Sequence, residues 1–163
     1  AWMFVLGGRA KSIAEGRQLA AEMIASGRAR DTFREVIRLQ GGDVKVVDDP
    51  GRLPRARHTA RVDAPRAGYM TAIHCEQVGV ASMLLGGGRE KKEDSVDPSV
   101  GLVLEKKIGN AVKAGENLCT VHYNLDSHLV HAMRLLSESF EIGDHAPPAV
   151  PLVRKVIGAG DFA

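Results

Sequence analysis

Apolar positions along this chain follow two periods, a helical one and an alternating one, and the points where the period changes divide the sequence into elements. Ser12, with Glu15 three positions on, forms a capping box, and Ile13, Ala20, Met23 and Ile24 recur at helical spacing before Gly27, which predicts a helix over 12–26. A second helix is expected over 29–40, with Phe33, Val36 and Ile37 on one side, Arg30, Arg34, Glu35 and Arg38 on the other, and a stop at Gly41 and Gly42. The two make a helical hairpin. From Asp43 to Pro54 the character changes: Asp49-Pro50-Gly51 is turn chemistry, and two prolines forbid a helix interior. A domain boundary is expected here, with 1–42 as one domain, 43–57 as a linker and 58–163 as a second domain.

Past the linker, 57–64 alternates weakly and 68–74 is rich in β-formers, with the stretch APRAG between them as a turn. Val78, Ala81, Leu84 and Leu85 return to helical spacing over 76–85, a short buried helix that ends on Gly86, Gly87 and Gly88 before a charged loop. Strands are expected over 100–105 and 117–123, separated by segments that each hold a turn glycine, Gly109 and Gly115. Asp126 is expected to cap a last helix whose apolar positions Leu129, Met133, Leu136 and Phe140 run to a stop at Gly143. Residues 146–157 carry three prolines and then alternate, which suits an edge strand. The fold class is therefore α+β, a helical hairpin followed by a compact antiparallel β-unit with flanking helices.

Composition narrows the function classes. With 44% apolar residues the chain is ordinary for a globular protein, and its length is enough for a core without staples. Cys75 and Cys119 lie far apart with no CxxC and no clustered histidines, which argues against zinc, a redox pair or a secreted disulfide scaffold and makes a reducing cytoplasm the default. No apolar run reaches the roughly 18 residues of a membrane span. Trp2 to Leu6 is apolar but lacks the basic flank of a signal peptide. The chain enters a helical pattern almost at its first residue, as the end of something longer would. Twenty-two basic and 20 acidic residues are scattered to a net charge of +2, and aromatics are 4%, so neither a basic stripe nor a base-stacking platform points to nucleic acid.

Three constellations could carry chemistry. In LLGGGREKKED, over 84–94, consecutive glycines let a backbone approach a ligand, but the run lacks the GK[ST] ending of a P-loop and follows a helix instead of preceding one. On local features it is a helix-ending loop before it is a ligand loop. Glu90, Glu93, Asp94 and Asp97 cluster there among Arg89, Lys91 and Lys92; mixed loop charge of this kind is usually solvated, and no acid/base role is assigned. His128 and His131 stand at i, i+3 on one helix with no carboxylate motif to complete a metal site, so an exposed helix face is the expectation and no metal is assigned. In KKIGNAVKAGENLCTV, over 106–121, glycines mark two tight turns with Val112 and Leu118 between them, which is how a small flattened barrel reverses its strands. This barrel-sandwich pattern resembles biotinyl and lipoyl domains, without their carrier lysine: Lys91 and Lys92 sit in an acidic loop and not at a hairpin tip.

The run MLLGGGREKKEDSVDPSVGLVLEKKIGNAVKAGENLCTVHYN, over 83–124, resembles the C-terminal domain of pyrimidine-nucleoside and thymidine phosphorylases. The likeness continues upstream through SGRARDTFREVIRLQGGDVKVVDDPGRLPRARH, where that family has a helix, a glutamine-glycine-glycine stop and a proline-bearing link. The resemblance implies that 1–42 is the helical end of an α/β domain and 58–163 the phosphorylase C-terminal domain. It implies a cytoplasmic glycosyltransferase of pyrimidine salvage, in which phosphate attacks the anomeric carbon of thymidine or uridine and releases the base and a pentose 1-phosphate. No cofactor is implied. The partners are phosphate and pyrimidine nucleoside, with a homodimer formed through a region absent here, and no nucleic acid or membrane. The family's phosphate-binding and base-binding segments lie upstream of Ala1, so the resemblance places no catalytic residue on this chain and the piece alone is expected to be inactive. It makes 86–97 a mobile loop near the cleft mouth, with Gly86, Gly87, Gly88 and Arg89 as the cleft-closing candidates and Arg89 as the contact to phosphate or to the opposite domain. Two other readings stand beside it: a free biotinyl- or lipoyl-like binding module without catalysis, and nucleic-acid binding through Arg30, Arg34 and Arg38.

Overall fold

The computed structural model describes residues 1–89 and 91–158. Contacts divide the chain into a unit over Ala1–Leu53 and a second unit from Pro54 on. The first holds three helices, α1 (Trp2–Leu6), α2 (Ile13–Ala25) and α3 (Arg28–Leu39). The Ser12 hydroxyl accepts the Glu15 N–H at 3.2 Å, and the Glu15 carboxylate reaches back to the Lys11 N–H at 2.7 Å, so the capping box closes one residue further out than its usual form. Gly16 lets α1 lie against α2, since a Cβ there would stand 2.7 Å from the Ala1 carbonyl oxygen. The hairpin between α2 and α3 turns at Gly27, whose φ of +81° is left-handed.

On α3 two arginines of the basic side, Arg34 and Arg38, are paired from within the unit. Arg34 meets Asp31 at 3.1 Å and Asp48 at 2.5 Å, and Arg38 meets Glu35 at 2.5 Å. The proline-bearing segment that follows is two 3-10 turns, Val44–Val47 and Pro50–Arg52. Each starts on an aspartate whose carboxylate accepts a backbone N–H two residues on, Asp43 from Lys45 and Asp49 from Gly51.

The second unit is mixed helix and antiparallel sheet. Strands β1 (His58–Asp63) and β2 (Gly68–Ile73) come first, then α4 (Cys75–Ser82), β3 (Gly101–Leu104), β4 (Ala111–Val112), β5 (Asn117–Tyr123), α5 (Asp126–Glu138) and β6 (Phe140–Gly143). They form two three-stranded sheets, ordered β1-β5-β3 and β4-β2-β6. Register sets one core cluster on the first sheet: Ala60 and Leu102 flank Val121, and Val62 and Leu104 flank Cys119. Ala81 and Leu85 from the α4 side and Ala132 and Leu136 from α5 complete that cluster. Met70, Val112, Leu118 and Ala64 make a second cluster on the other sheet. Phe140 packs against both.

Phe140 also corrects an expectation. Its spacing from Leu136 suits a helix, yet α5 ends at Glu138 and Phe140 starts β6, opposite Ile73 of β2. The turn is made by Ser139, which is wholly buried; its hydroxyl donates to the Leu135 carbonyl at 2.6 Å and its own carbonyl accepts the His74 N–H at 2.9 Å. Asp126 is not the cap of α5 but its first residue, after Leu125. Residues 146–157 form no strand: alternation alone does not make one, and Pro147, Pro148 and Pro151 have no N–H to give to a ladder. At the other end of β6 the backbones close tightly: a Cβ on Gly68 would stand 2.4 Å from the Gly143 carbonyl oxygen.

Candidate functional site

The glycine run leaves α4 through a wide turn over Met83–Gly87, with Leu85 buried and Gly86 at φ 101°, ψ 2°. A side chain at Gly87 would meet the Ser82 carbonyl oxygen at 3.0 Å, and one at Gly88 would meet Met83 at 3.1 Å. The way the helix stops thus calls for glycine at Gly86 and leaves little room for a side chain at Gly87 and Gly88, ligand or no ligand. Arg89 is exposed and makes no ion pair with a described residue. Lys91, Lys92 and Glu93 are exposed too, and the Lys91 N–H donates to the Asp94 carboxylate at 2.8 Å. Glu90, one of the clustered carboxylates, lies outside the described residues.

The loop returns to its own start. The Asp97 N–H donates to the Gly86 carbonyl at 2.9 Å. The Asp97 carboxylate then accepts the Ser99 hydroxyl at 2.6 Å, the Ser99 N–H at 2.9 Å and the Asn124 side-chain amide at 2.7 Å. These bonds, the Ser99 hydroxyl first, then the Ser99 N–H and Asn124, with the Arg57 charge contributing least, hold the carboxyl below the ordinary aspartate range against a smaller opposing cost of burial. Asn124 in turn accepts the Arg57 N–H at 2.8 Å.

Beside the loop lies a cleft of about 400 Å3 whose wall includes Met83, Gly86, Gly88 and Ser95 on one side and Ser127, His128 and His131 from the first turns of α5 on the other. The i, i+3 histidine pair therefore stands on an exposed helix face that looks onto the glycine loop. Among the described residues no group of three or more His, Cys, Asp or Glu side chains could hold a metal, and no helix among them is long and apolar enough to cross a membrane. Cys119 is fully buried, and burial, helped by the Glu105 charge, pushes its thiol up to about 11. The sequence singled out Gly86 to Arg89; it carried no sign of the hydrogen-bonded cluster of Asp97, Ser99, Asn124 and Arg57, whose members lie up to 67 positions apart.

A family profile described as the pyrimidine nucleoside phosphorylase C-terminal domain matches residues 69–143. Those residues belong to that domain family. The stretch runs from β2 to β6, so it contains α4, the glycine loop, β3, β5 and α5. The chain is also similar to curated proteins named pyrimidine-nucleoside phosphorylase from Staphylococcus aureus strains USA300, NCTC 8325 / PS 47 and COL, each 42% identical over 155 residues. The alignment takes in 95% of this chain and 35% of each relative, so the chain spans about a third of the length of the phosphorylases it matches.

Proposed function

We propose that this chain is the C-terminal part of a pyrimidine-nucleoside phosphorylase, and that its own contribution is a scaffold carrying a loop that closes over the substrate cleft. The whole enzyme would convert thymidine or uridine and phosphate to free base and pentose 1-phosphate, with its catalytic groups elsewhere and no cofactor. Its partners would be phosphate and nucleoside, in a cytoplasmic homodimer assembled through other parts of the protein. The observation that carries this reading is a glycine loop, 86–97, that lies inside the matched domain and is closed on itself at its base while its middle stays exposed. A loop built that way moves without unravelling the sheets beneath it, as gating requires.

Arg89, exposed and without an ion pair to a described residue, is the side chain to meet phosphate or the opposite domain when the loop closes. The pair of three-stranded antiparallel sheets, with turns at Gly109 and Gly115 that carry the chain from one sheet to the other and back, supports a barrel-sandwich arrangement like that of biotinyl and lipoyl domains, used here without a carrier lysine. The test is phosphorolysis of thymidine and uridine by the intact enzyme after deletion of 86–94 and, separately, with Arg89→Ala. Both variants should lose turnover at limiting phosphate, the deletion by more. Unchanged kcat/KM in the deletion would overturn the closing role. A lysine adduct at Lys91 or Lys92 after expression with a biotin or lipoate ligase would favour the carrier-module reading instead.

A further inference from the structure

We propose that Asn124 is a positioning residue for the glycine loop, its side-chain amide bridging the base of the loop at Asp97 to the backbone of Arg57 at the lead-in to β1. The proposal rests on the reading of 86–97 as the closing loop. Three segments far apart in sequence meet at this one side chain. Asn124 follows the last residue of β5, Asp97 ends the loop, and Arg57 precedes β1.

An amide is a donor at one end and an acceptor at the other, and both ends are used. The nitrogen donates to the Asp97 carboxylate at 2.7 Å and lies 2.9 Å from the Ser99 hydroxyl, while the oxygen accepts the Arg57 N–H at 2.8 Å. The partners fix the orientation of the amide: a carboxylate only accepts and a backbone N–H only donates, so a flipped amide would lose both bonds. A carboxylate at this position would keep Arg57 and repel Asp97, and an aliphatic side chain would serve neither.

Residues 91–96 are exposed, so these residues bury almost no apolar surface, and the packing that sets the loop is at its two ends. One end is the wide turn at Gly86, held by the burial of Leu85. The other is Asp97, and its tie to the rest of the unit runs through Ser99 and Asn124. Because Arg57 lies only a few residues past the boundary at Pro54, the same amide also fixes the segment through which the chain enters this unit.

The test is amide hydrogen exchange on the intact protein carrying Asn124→Asp, which keeps the shape and the Arg57 acceptor and removes only the donor. Exchange of the Asp97 amide should rise about tenfold or more, while the amides of Cys119 and Val121 in the central strand keep their protection. The rise should shrink as the pH falls toward about 4, where one of the two facing carboxyls takes up a proton and can donate in the place of the lost amide. A structural defect alone would not reverse in this way. Should Asn124→Asp fail to fold, Asn124→Ser removes both bonds without setting a second carboxylate against Asp97 and should expose the Asp97 and Arg57 amides together. An Asp97 amide that stays protected, or one that loosens in step with Cys119 and Val121, would overturn the positioning role whatever the kinetics. Steady-state phosphorolysis by the same variants separates the two ideas: local loosening with a several-fold fall in kcat/KM for phosphate supports both, and local loosening with unchanged kinetics supports the bridge while removing the closing role.

Discussion

The carbonyl oxygen of Gly86 and the backbone nitrogen of Asp97 lie 2.9 Å apart, so the segment between them leaves and rejoins the fold at one point. This closure depends on Gly86 holding a φ of 101°, which residues with a Cβ rarely adopt.

Gly86→Ala should therefore destabilise the second unit by about 1–2 kcal/mol, the cost of forcing an L side chain into a left-handed backbone. Gly79 gives the internal contrast. It lies in α4 with nothing within 4 Å of an added Cβ, so Gly79→Ala should stabilise the protein by about 0.5–1 kcal/mol through helix propensity. Urea unfolding of the two variants checks both signs, and a common sign would show that backbone conformation is not what these positions are chosen for.

The depressed carboxyl of Asp97 makes a pH prediction. A group whose folded pKa is lowered contributes stability above its unfolded value, near pH 4, and loses it as the pH falls through the folded value. Asp97→Asn should be less stable than the parent at pH 7, and the difference should narrow as both proteins are taken into acid below the ordinary aspartate range. Unfolding curves for the two at pH 7 and in acid measure it; a gap that persists in acid would mean that charge is not what Asp97 contributes.

Thiol chemistry should separate the two cysteines. Cys75 is exposed, whereas Cys119 is wholly buried with its thiol pushed up to about 11. A thiol reagent at pH 8 is expected to modify one cysteine per chain in the native protein and both in denaturant, with peptide mapping placing the native adduct at Cys75. Prompt native labelling of Cys119 would mean that β5 opens readily.

Packing on α5 should be sharply one-sided. Leu136 is fully buried in the first core cluster and Val130, on the same helix, is 70% exposed. Leu136→Ala is expected to cost about 2–5 kcal/mol, and Val130→Ala to stay within about 0.5 kcal/mol of the parent. Thermal unfolding of both variants suffices to compare them.

The elements that the sequence revealed are those whose cause is local. The Ser12–Glu15 box starts α2, Gly27 turns the hairpin, and alternation over 57–64 and 117–123 finds β1 and β5. The misses share a different cause. Phe140 keeps helical spacing from Leu136, but its place is decided by two core clusters and by a strand some seventy positions earlier, none of which periodicity can see. Strand β4 is two residues long, too short to show any alternation. At the candidate site the glycines and Arg89 could be picked out by type, because conformational freedom and charge are properties of single residues. The bridge from Asp97 through Asn124 to Arg57 could not, since asparagine at a strand end has no meaning until the fold brings its partners to it.

The pairing of β2 with β6 sets an order of events during synthesis. Gly68–Ile73 is made before its partner strand Phe140–Gly143, with α4, the glycine loop, β5 and α5 made in between. Until then β2 has only the two-residue β4 to pair with and keeps a bare hydrogen-bonding edge, the kind of edge that invites pairing between neighbouring nascent chains. A chain cut before residue 140 would leave the second sheet open and Met70 without Ile142, its partner across the sheet. The helix α5, whose Ala132 and Leu136 complete the first core cluster, is thus also the tether that delivers the closing strand.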